Sequence, residues 1–238
     1  MLIFLYGMFA YGVSMATVVW LIAACFDLLP LGFEGAAVVR GTPATLVDLG
    51  LIALFAVQHT IMARRGFKAW WQRVIPPAAE RSTYVLVSGA ILVVIFAGWQ
   101  PTDGGWIWYV EQPGLRLALW GLNVLGWVLL LIATFATNHF DLYGVRQAWL
   151  HLRGRDYEPP PFVEGWVYRI CRHPLMLGVL VGVWATPQMS SDHFVLALGF
   201  SAYIVMGIWF EERDLVHQFG DRYLDYRRRV GALLPRWF

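Results

Sequence analysis

Six long stretches of the sequence are almost free of charged residues, and they constrain the fold more than any other feature. They are residues 2–26, 49–63, 83–99, 117–137, 174–187 and 193–210. A helix needs about 20 apolar residues to cross the hydrocarbon core of a bilayer, with about 17 as a lower limit. The first, fourth and sixth stretches reach this length alone, and the second reaches it with its lead-in from Ala44. The third is marginal and the fifth is short, so the fifth is either a tilted span or one arm of a helical hairpin.

The composition agrees with a membrane protein. Of the 238 residues, 58% are hydrophobic and 14% are charged, against about 25% charged in soluble domains. We therefore expect an all-α fold, a polytopic transmembrane helical bundle of five to six spans in which the last two form a hairpin. Residues 1–238 are predicted to be a single membrane domain, with four N-terminal spans in 1–137.

The positively charged residues are concentrated in alternate loops. Segments 64–82, 138–173 and 211–238 hold five, five and six of the 18 Lys and Arg residues. Basic loops stay in the cytoplasm, so we expect an integral membrane protein with both termini on that side. The net charge is only +2 and no basic binding motif stands out, so no nucleic-acid partner is expected.

The tail from Glu211 onward is charged but has one apolar stripe. Leu215, Phe219, Tyr223, Tyr226 and Val230 recur at intervals of three or four residues, which is the period of one helix face. This predicts a C-terminal helix that leaves the membrane and folds back on the cytoplasmic surface. The alternative is an interfacial anchor with no role in chemistry.

The motif "CRHPLMLG" places Arg172 and His173 at the mouth of an apolar helix. Pro174 suits the first position of that helix, where its missing N–H costs nothing. The free N–H groups of a helix start favour anions, and Gly178 leaves room for a flat ligand. The alternative is that Arg172 is an anchor at the membrane surface and His173 a hydrogen-bonded interfacial residue.

Two carboxylates, Glu211 and Glu212, end the sixth apolar stretch on the same predicted side. They could accept hydrogen bonds from an ammonium group or pair with Arg172. Adjacent helical positions point about 100° apart, so we expect only one of them to face inward. The alternative is a solvated helix end.

The motif "TNHFDLYGVRQ" places four different polar side chains just after the fourth apolar stretch. His139 and Asp141 could form a general base and its orienting partner, with Tyr143 and Arg146 close by. A metal site is not expected, because no third and fourth ligand stand at usable spacing. The alternative is an ordinary capped helix end.

These polar groups converge on the predicted cytoplasmic ends of the last three apolar stretches. A helix start that favours anions and a glutamate pair that favours cations together suit a zwitterion. An amino acid head with an apolar and aromatic body matches that description. S-adenosyl-L-methionine is such a molecule, and we expect it as the cofactor.

Three further motifs, "RHPLMLG", "EERDL" and "FGDRYLDYRRRV", make residues 172–235 resemble the C-terminal module of the isoprenylcysteine carboxyl methyltransferase superfamily, which includes bacterial phospholipid methyltransferases and NnrU-like proteins. Met176 departs from the usual tyrosine of that pattern. "TNHFDLYGVRQ" after four spans resembles the methanethiol S-methyltransferases, which make dimethyl sulfide. The resemblance implies a cofactor-binding module in 138–238 and a bacterial inner membrane location. Membrane lipid is then an expected partner, and no obligate protein partner is expected.

The resemblance also implies roles for individual residues. The predicted cofactor contacts are Arg172, His173, Pro174, Leu175, Gly178, Glu211, Glu212, Tyr223, Tyr226 and Arg227. The predicted catalytic, acceptor-side residues are His139, Asp141, Tyr143 and Arg146. The alternatives are methylation of an isoprenylcysteine carboxyl group or a phospholipid, an NADPH-dependent membrane reductase, and a non-catalytic membrane protein.

Methylation of a small thiol requires a thiolate, because the thiol itself reacts poorly. We expect His139, oriented by Asp141, to take the proton, with His173 as the competing base. Arg146 or the cofactor's positive charge would stabilise the thiolate. The transfer is expected to be in line and to occur at the cytoplasmic side.

Overall fold

The computed structural model describes residues 1–32 and 38–236, and most of this part is helical. The helices are α1 (Leu2–Cys25), α2 (Thr42–Ala63), α3 (Arg65–Trp71), α4 (Pro77–Gly98), α5 (Pro113–Ala136), α6 (His139–Leu142), α7 (Val145–Leu152), α8 (Pro174–Trp184), α9 (Ser191–Phe219) and α10 (Asp221–Arg229). Two short strands, β1 (Trp106–Tyr109) and β2 (Gln188–Ser190), pair antiparallel.

Five helices in the described residues are long and apolar enough to cross a membrane: α1, α2, α4, α5 and α9. This confirms the predicted polytopic bundle. Helix α8 has only 11 residues, about 16 Å at 1.5 Å per residue, which is roughly half of a hydrocarbon core. Of the two predictions for the fifth apolar stretch, the hairpin arm is therefore the better description.

Prolines and a glycine set several helix ends. Pro43, Pro77, Pro113 and Pro174 each stand in the first turn of a helix, where proline is tolerated best. The long α9 ends at Gly220, whose φ of +55° is a left-handed conformation that glycine adopts without strain. The predicted tail helix is thus divided at Gly220 into the end of α9 and the separate α10.

Helices α5 and α8 pack with almost no space between their backbones. A Cβ atom on Gly178 would lie 2.6 Å from the carbonyl oxygen of Gly126, and one on Gly182 would lie 2.5 Å from the Trp127 ring. Asn123 donates from Nδ2 to the Gly182 carbonyl at 2.7 Å. Small residues and a buried interhelical hydrogen bond are typical of contacts inside a membrane.

Strands β1 and β2 form a cap at the end of the bundle where α4 and α8 finish. The Trp108 indole donates to the Thr186 carbonyl at 2.9 Å, which ties the cap to the end of α8. The sequence predicts no strand here, because each has four residues or fewer, although the aromatic content of β1 suits a strand.

The arginine-rich segments meet at the opposite end of the bundle, which we call the basic face. Arg64, at the end of α2, pairs with Asp214 of α9 at 2.9 Å. Arg81, in the first turns of α4, donates to the Leu142 carbonyl at 2.7 Å. These contacts bring α2, α4, α6 and α9 together around the predicted functional residues.

Candidate active site

A buried carboxylate, Glu212, pairs with three basic residues at the basic face. Its Oε1 accepts from Arg172 Nε at 2.8 Å and lies 3.3 Å from His173 Nε2, and its Oε2 lies 3.3 Å from Arg227 Nε. With Glu211 these residues form what we call the charge network. Glu212 therefore satisfies three cationic groups of its own chain.

The neighbouring Glu211 points away from this centre. Its side chain is 46% exposed, and its Oε2 lies 3.5 Å from His173 Nδ1. One glutamate of the pair thus faces inward, as predicted, and it is Glu212. Glu211 is the carboxylate whose position leaves it accessible to a ligand.

Both ring nitrogens of His173 face a carboxylate, which fixes its charge. Burial alone would lower the pKa of His173, but the hydrogen bonds and charges of Glu211 and Glu212 together raise it to about 9. His173 is therefore an imidazolium at neutral pH. An imidazolium has no lone pair for a proton, so the two carboxylates favour a structural role for His173 over that of the competing base.

Arg172 is occupied by protein groups instead of facing a ligand. Besides Glu212, its guanidinium donates to the carbonyl oxygens of Arg227 and Val230. The backbone N–H groups of Arg172 and His173 donate to the carbonyls of Gly231 and Ala232 at 2.8 and 3.0 Å. In this structure Arg172 ties the start of α8 to α9 and to residues 230–232, and its contact with a cofactor stays a prediction.

Gly178 also has a different role from the predicted one. Its missing side chain admits the α5 backbone at Gly126 and Leu130, so the space that a flat ligand would need is filled by a helix. Pro174 is buried at the α8 start and Leu175 half-buried beside it. We assign Gly178 to helix packing.

The tail residues Tyr223 and Tyr226 lie in a compact aromatic cluster. Both are buried and pack with Val230, Phe162 and Phe219, and the Tyr226 hydroxyl donates to the Tyr168 carbonyl at 2.6 Å. They connect α10 to the segment before α8. The tail thus packs over the basic face, as a closing element would.

His139 is buried in an uncharged environment. Thr134 donates its hydroxyl hydrogen to the Leu131 carbonyl at 2.7 Å, so its oxygen accepts from His139 Nδ1 at 2.8 Å. The proton of the neutral ring then sits on Nδ1, and Nε2 keeps a lone pair. Nε2 accepts from the Tyr11 hydroxyl at 3.0 Å, and burial lowers the pKa of His139.

The predicted His139–Asp141 pair is wrong. Asp141 accepts from Arg146 Nη1 at 2.8 Å and from the Tyr157 hydroxyl at 3.1 Å, while both nitrogens of His139 have other partners. The short turn of α6 points the two side chains in different directions. Arg146 also donates to the Glu158 carbonyl, so Asp141 and Arg146 fasten the segment after α7.

Tyr143 lies between two parts of the candidate site. Its ring centroid is 4.9 Å from that of His139, and on its other side it packs against Met62, Tyr84 and Val85. Burial, the largest cause, raises the pKa of Tyr143 to about 12, so its hydroxyl remains protonated at neutral pH.

A cavity of about 600 Å³ opens at the basic face between the start of α4 and the α6–α7 segment. We call it the basic-face cavity. It is lined by Lys68, Gln72, Pro76, Pro77, Ala78, Glu80, Arg81, Thr137, Asp141, Leu142, Gln147, His151, Arg155, Asp156 and Tyr157. This volume lies in the range of small-molecule sites.

Aromatic rings lie beside this cavity and beside the charge network. The Arg81 guanidinium, which lines the cavity, lies 4.9 Å from the Tyr84 ring centroid. Tyr168 accepts at its carbonyl from the Tyr226 hydroxyl of the tail. Cationic and aromatic groups therefore occur together at the basic face.

Three residues that contact predicted ones are not predicted by the sequence: Tyr11, Thr134 and Tyr168. Neither is the role of Arg81, which binds the Leu142 carbonyl. Tyr11 and Thr134 lie in apolar helices, where a hydroxyl is unusual and signals a hydrogen-bonding task. That signal was available, but the pairing with His139 depends on how α1 packs against α5.

The fold and this site define a class, polytopic helical membrane proteins whose polar site lies at the ends of the last helices. The model of the family described as NnrU protein matches residues 48–232. Methanethiol S-methyltransferase of Mycobacterium tuberculosis is 46% identical over 86% of this chain and 88% of its own length. Methanethiol S-methyltransferase 1 of Bradyrhizobium diazoefficiens is 41% identical over 98% and 81%.

A third relative, methanethiol S-methyltransferase of Pseudomonas deceptionensis, is 48% identical over 81% of this chain and 73% of its own length. The chain belongs to the NnrU family and, within it, to the membrane methyltransferases that resemble these proteins. No solved structure matches it significantly.

Proposed function

We propose that this protein methylates a small thiol, converting methanethiol to dimethyl sulfide, with S-adenosyl-L-methionine as the methyl donor. The observation that carries the proposal is the buried, neutral His139, whose Nε2 lone pair has the Tyr11 hydroxyl as its only hydrogen-bond partner among the described residues. The names of relatives that are 41–48% identical support the choice of acceptor.

The residues of the basic face fit this donor. The exposed carboxylate of Glu211 suits its ammonium group, and Lys68 and Arg81 at the basic-face cavity suit its carboxylate. The half-buried Tyr168 ring offers a flat surface for its base. When bound, the donor supplies an electrophilic methyl group on a positively charged sulfur.

His139 would take the thiol proton onto Nε2. Burial lowers its pKa, so the ring is neutral and able to accept a proton at neutral pH. The Nδ1 bond to Thr134 fixes the ring and keeps the lone pair on Nε2. Tyr11 occupies the place next to Nε2 that the thiol would take.

Positioning would supply much of the rate acceleration. Alignment of reacting groups can contribute roughly 7–11 kcal/mol, and Tyr143 stands where the acceptor at His139 and a ligand beside Tyr84 would meet. Its rigid packing against Met62 and Val85 would hold both in line and exclude water. A dry site also favours the combination of an anionic acceptor with a cationic donor, because the products are neutral.

The basic face is proposed to be cytoplasmic, by the charge bias of its segments. Both termini and the active site then lie on the side where the donor is made. In this arrangement 1–137 supplies most of the membrane anchor together with Lys68 and Arg81, and 138–238 supplies His139 and Glu211.

Headspace gas chromatography of the purified protein with methanethiol tests the proposal. We expect dimethyl sulfide only when S-adenosyl-L-methionine is present. Calorimetry should show binding of S-adenosyl-L-methionine and of its demethylated product, and none of NADPH. Binding of NADPH with no volatile sulfide would instead identify a reductase.

A further inference from the structure

An apolar groove runs between α1 and α5 on the outer surface of the bundle. Its volume is about 410 Å³, and we call it the lipid-side groove. It is lined by Met15, Val18, Val19, Ile22, Phe26, Val124, Trp127, Val128, Leu130, Leu131, Thr134, His139 and Tyr143. Nine of these are aliphatic, thioether or phenyl side chains, and the indole N–H of Trp127 is already bonded to Asn123, so most of the groove suits hydrocarbon.

The polar residues of the groove are gathered at one end. Val19 and Leu131 on the rim are 62% and 50% exposed, whereas Thr134 and His139 at the inner end are 1% and 4% exposed. The groove therefore leads from the lipid-facing surface to the buried imidazole ring of His139, on the side where Thr134 holds Nδ1. It is continuous with the acceptor side of the candidate site, because His139 and Tyr143 belong to both.

The groove is much longer than methanethiol requires. Val124 and Thr134 are ten residues apart on α5, which is about 15 Å along a helix. Methanethiol has one carbon, so with its sulfur beside His139 most of the groove would remain without substrate. A straight alkyl chain attached to the same sulfur would lie along it.

We propose that the acceptors include straight-chain alkyl thiols longer than methanethiol, with the sulfur at His139 and the chain in the lipid-side groove. This rests on the proposed function and specifies its substrate class. The acceptor S–H bond breaks and its proton goes to His139, a new S–CH₃ bond forms, and the sulfonium donor's sulfur keeps the electron pair of its broken S–CH₃ bond.

Chain length should affect catalytic efficiency in a graded way. Each buried methylene contributes about 0.8 kcal/mol, which corresponds to a roughly fourfold rise in kcat/KM. The chain also partitions into detergent or lipid, which raises the local thiol concentration equally for every variant. A substitution that fills the groove therefore distinguishes burial of the chain in the groove from its partitioning into detergent or lipid.

The experiment is a competition between methanethiol and 1-butanethiol at equal concentration, with both methyl sulfides measured by headspace gas chromatography. Val128→Trp places a large ring in the groove from α5, and Val19→Trp does so from α1. Val57→Trp is the matched control, since Val57 is an exposed valine of α2 outside the groove.

We expect the butanethiol-to-methanethiol product ratio to fall about tenfold in either groove variant and to stay at the wild-type value in Val57→Trp. Two variants from different helices guard against loss of folding in one of them. An unchanged ratio in both, as when a lipid chain occupies the groove, would overturn the inference. The inference would also be overturned if the wild-type protein methylated methanethiol but did not methylate propanethiol or longer thiols.

The two proposals fail differently. If the protein methylates methanethiol but no longer-chain thiol, the inference fails and the proposed function stands. Absence of methylation for every thiol would overturn both.

Discussion

The two histidines of the candidate site are equally buried, at 4% exposure each, yet they are in opposite charge states. His173 lies between two carboxylates, and its pKa rises to about 9. His139 lies between two hydroxyl groups, and its pKa falls below the usual value. Burial by itself lowers the pKa of a histidine, so the partners decide which ring keeps its second proton.

This difference indicates a structural role for His173 and supports the proposed catalytic role of His139. The charged His173 fastens the start of α8 to α9, as part of a network that is satisfied within the chain. The neutral His139 has a fixed ring and a lone pair, which is what a general base needs. Substitutions at His139 should therefore affect turnover, whereas substitutions around His173 should affect stability.

The largest expected effect is on turnover in His139→Gln. Loss of a general base typically lowers the rate by about 10²–10⁴-fold, so kcat for dimethyl sulfide formation should fall by that factor while donor binding by calorimetry persists. His217→Gln, at an exposed histidine of the same face, is the control. Turnover within threefold of wild type would show that His139 is not the base.

Glu212→Gln should lower the stability of the protein by removing the carboxylate that keeps His173 charged. It leaves Arg172 and His173 buried without their shared carboxylate, and breaking such a pair costs about 3–5 kcal/mol. The free energy of unfolding by denaturant in mild detergent measures this. The control, Glu164→Gln, removes exposed pairs with Arg222 and Arg229 and should cost less than about 1 kcal/mol per pair. Equal losses of unfolding free energy in the two variants would contradict the stabilising role of the charge network.

Stability should also depend on pH through His173. Its folded-state pKa of about 9 exceeds the unfolded value of about 6.5, so its contribution is complete below pH 6.5 and is lost as the pH rises through 9. We expect the thermal midpoint of the wild type to fall across that window and that of His173→Gln to change less. Parallel pH curves for the two proteins would rule out this protonation.

The smallest expected effect is that of Tyr11→Phe. One neutral hydrogen bond contributes about 0.5–1.5 kcal/mol, and the thiol must displace this one from Nε2, so kcat/KM should rise roughly two- to tenfold. Without a donor to Nε2 the neutral ring is less favoured, and the pKa of His139 should rise. The acid limb of the kcat/KM profile should then move to higher pH, whereas a purely packing role for Tyr11 would leave the profile in place.

The sequence was sufficient for the bundle and for the residues that meet at the basic face, because long apolar runs and charged motifs follow from local chemistry. It predicted an inward glutamate but could not assign Glu212 to Arg172, since this depends on the rotation of α9. His139 was identified, but Asp141 was given as its partner because the two are close in sequence. The actual partner Tyr11 is 128 residues away.

Residues 230–232 hold the entrance of α8 by three backbone carbonyls, those of Val230, Gly231 and Ala232. A chain cut before residue 230 would keep all five long helices of the described residues but would lack these three acceptors. The start of α8 can therefore be fastened only after α9 and α10 have brought residues 230–232 to it, so closure of the charge network follows formation of the bundle.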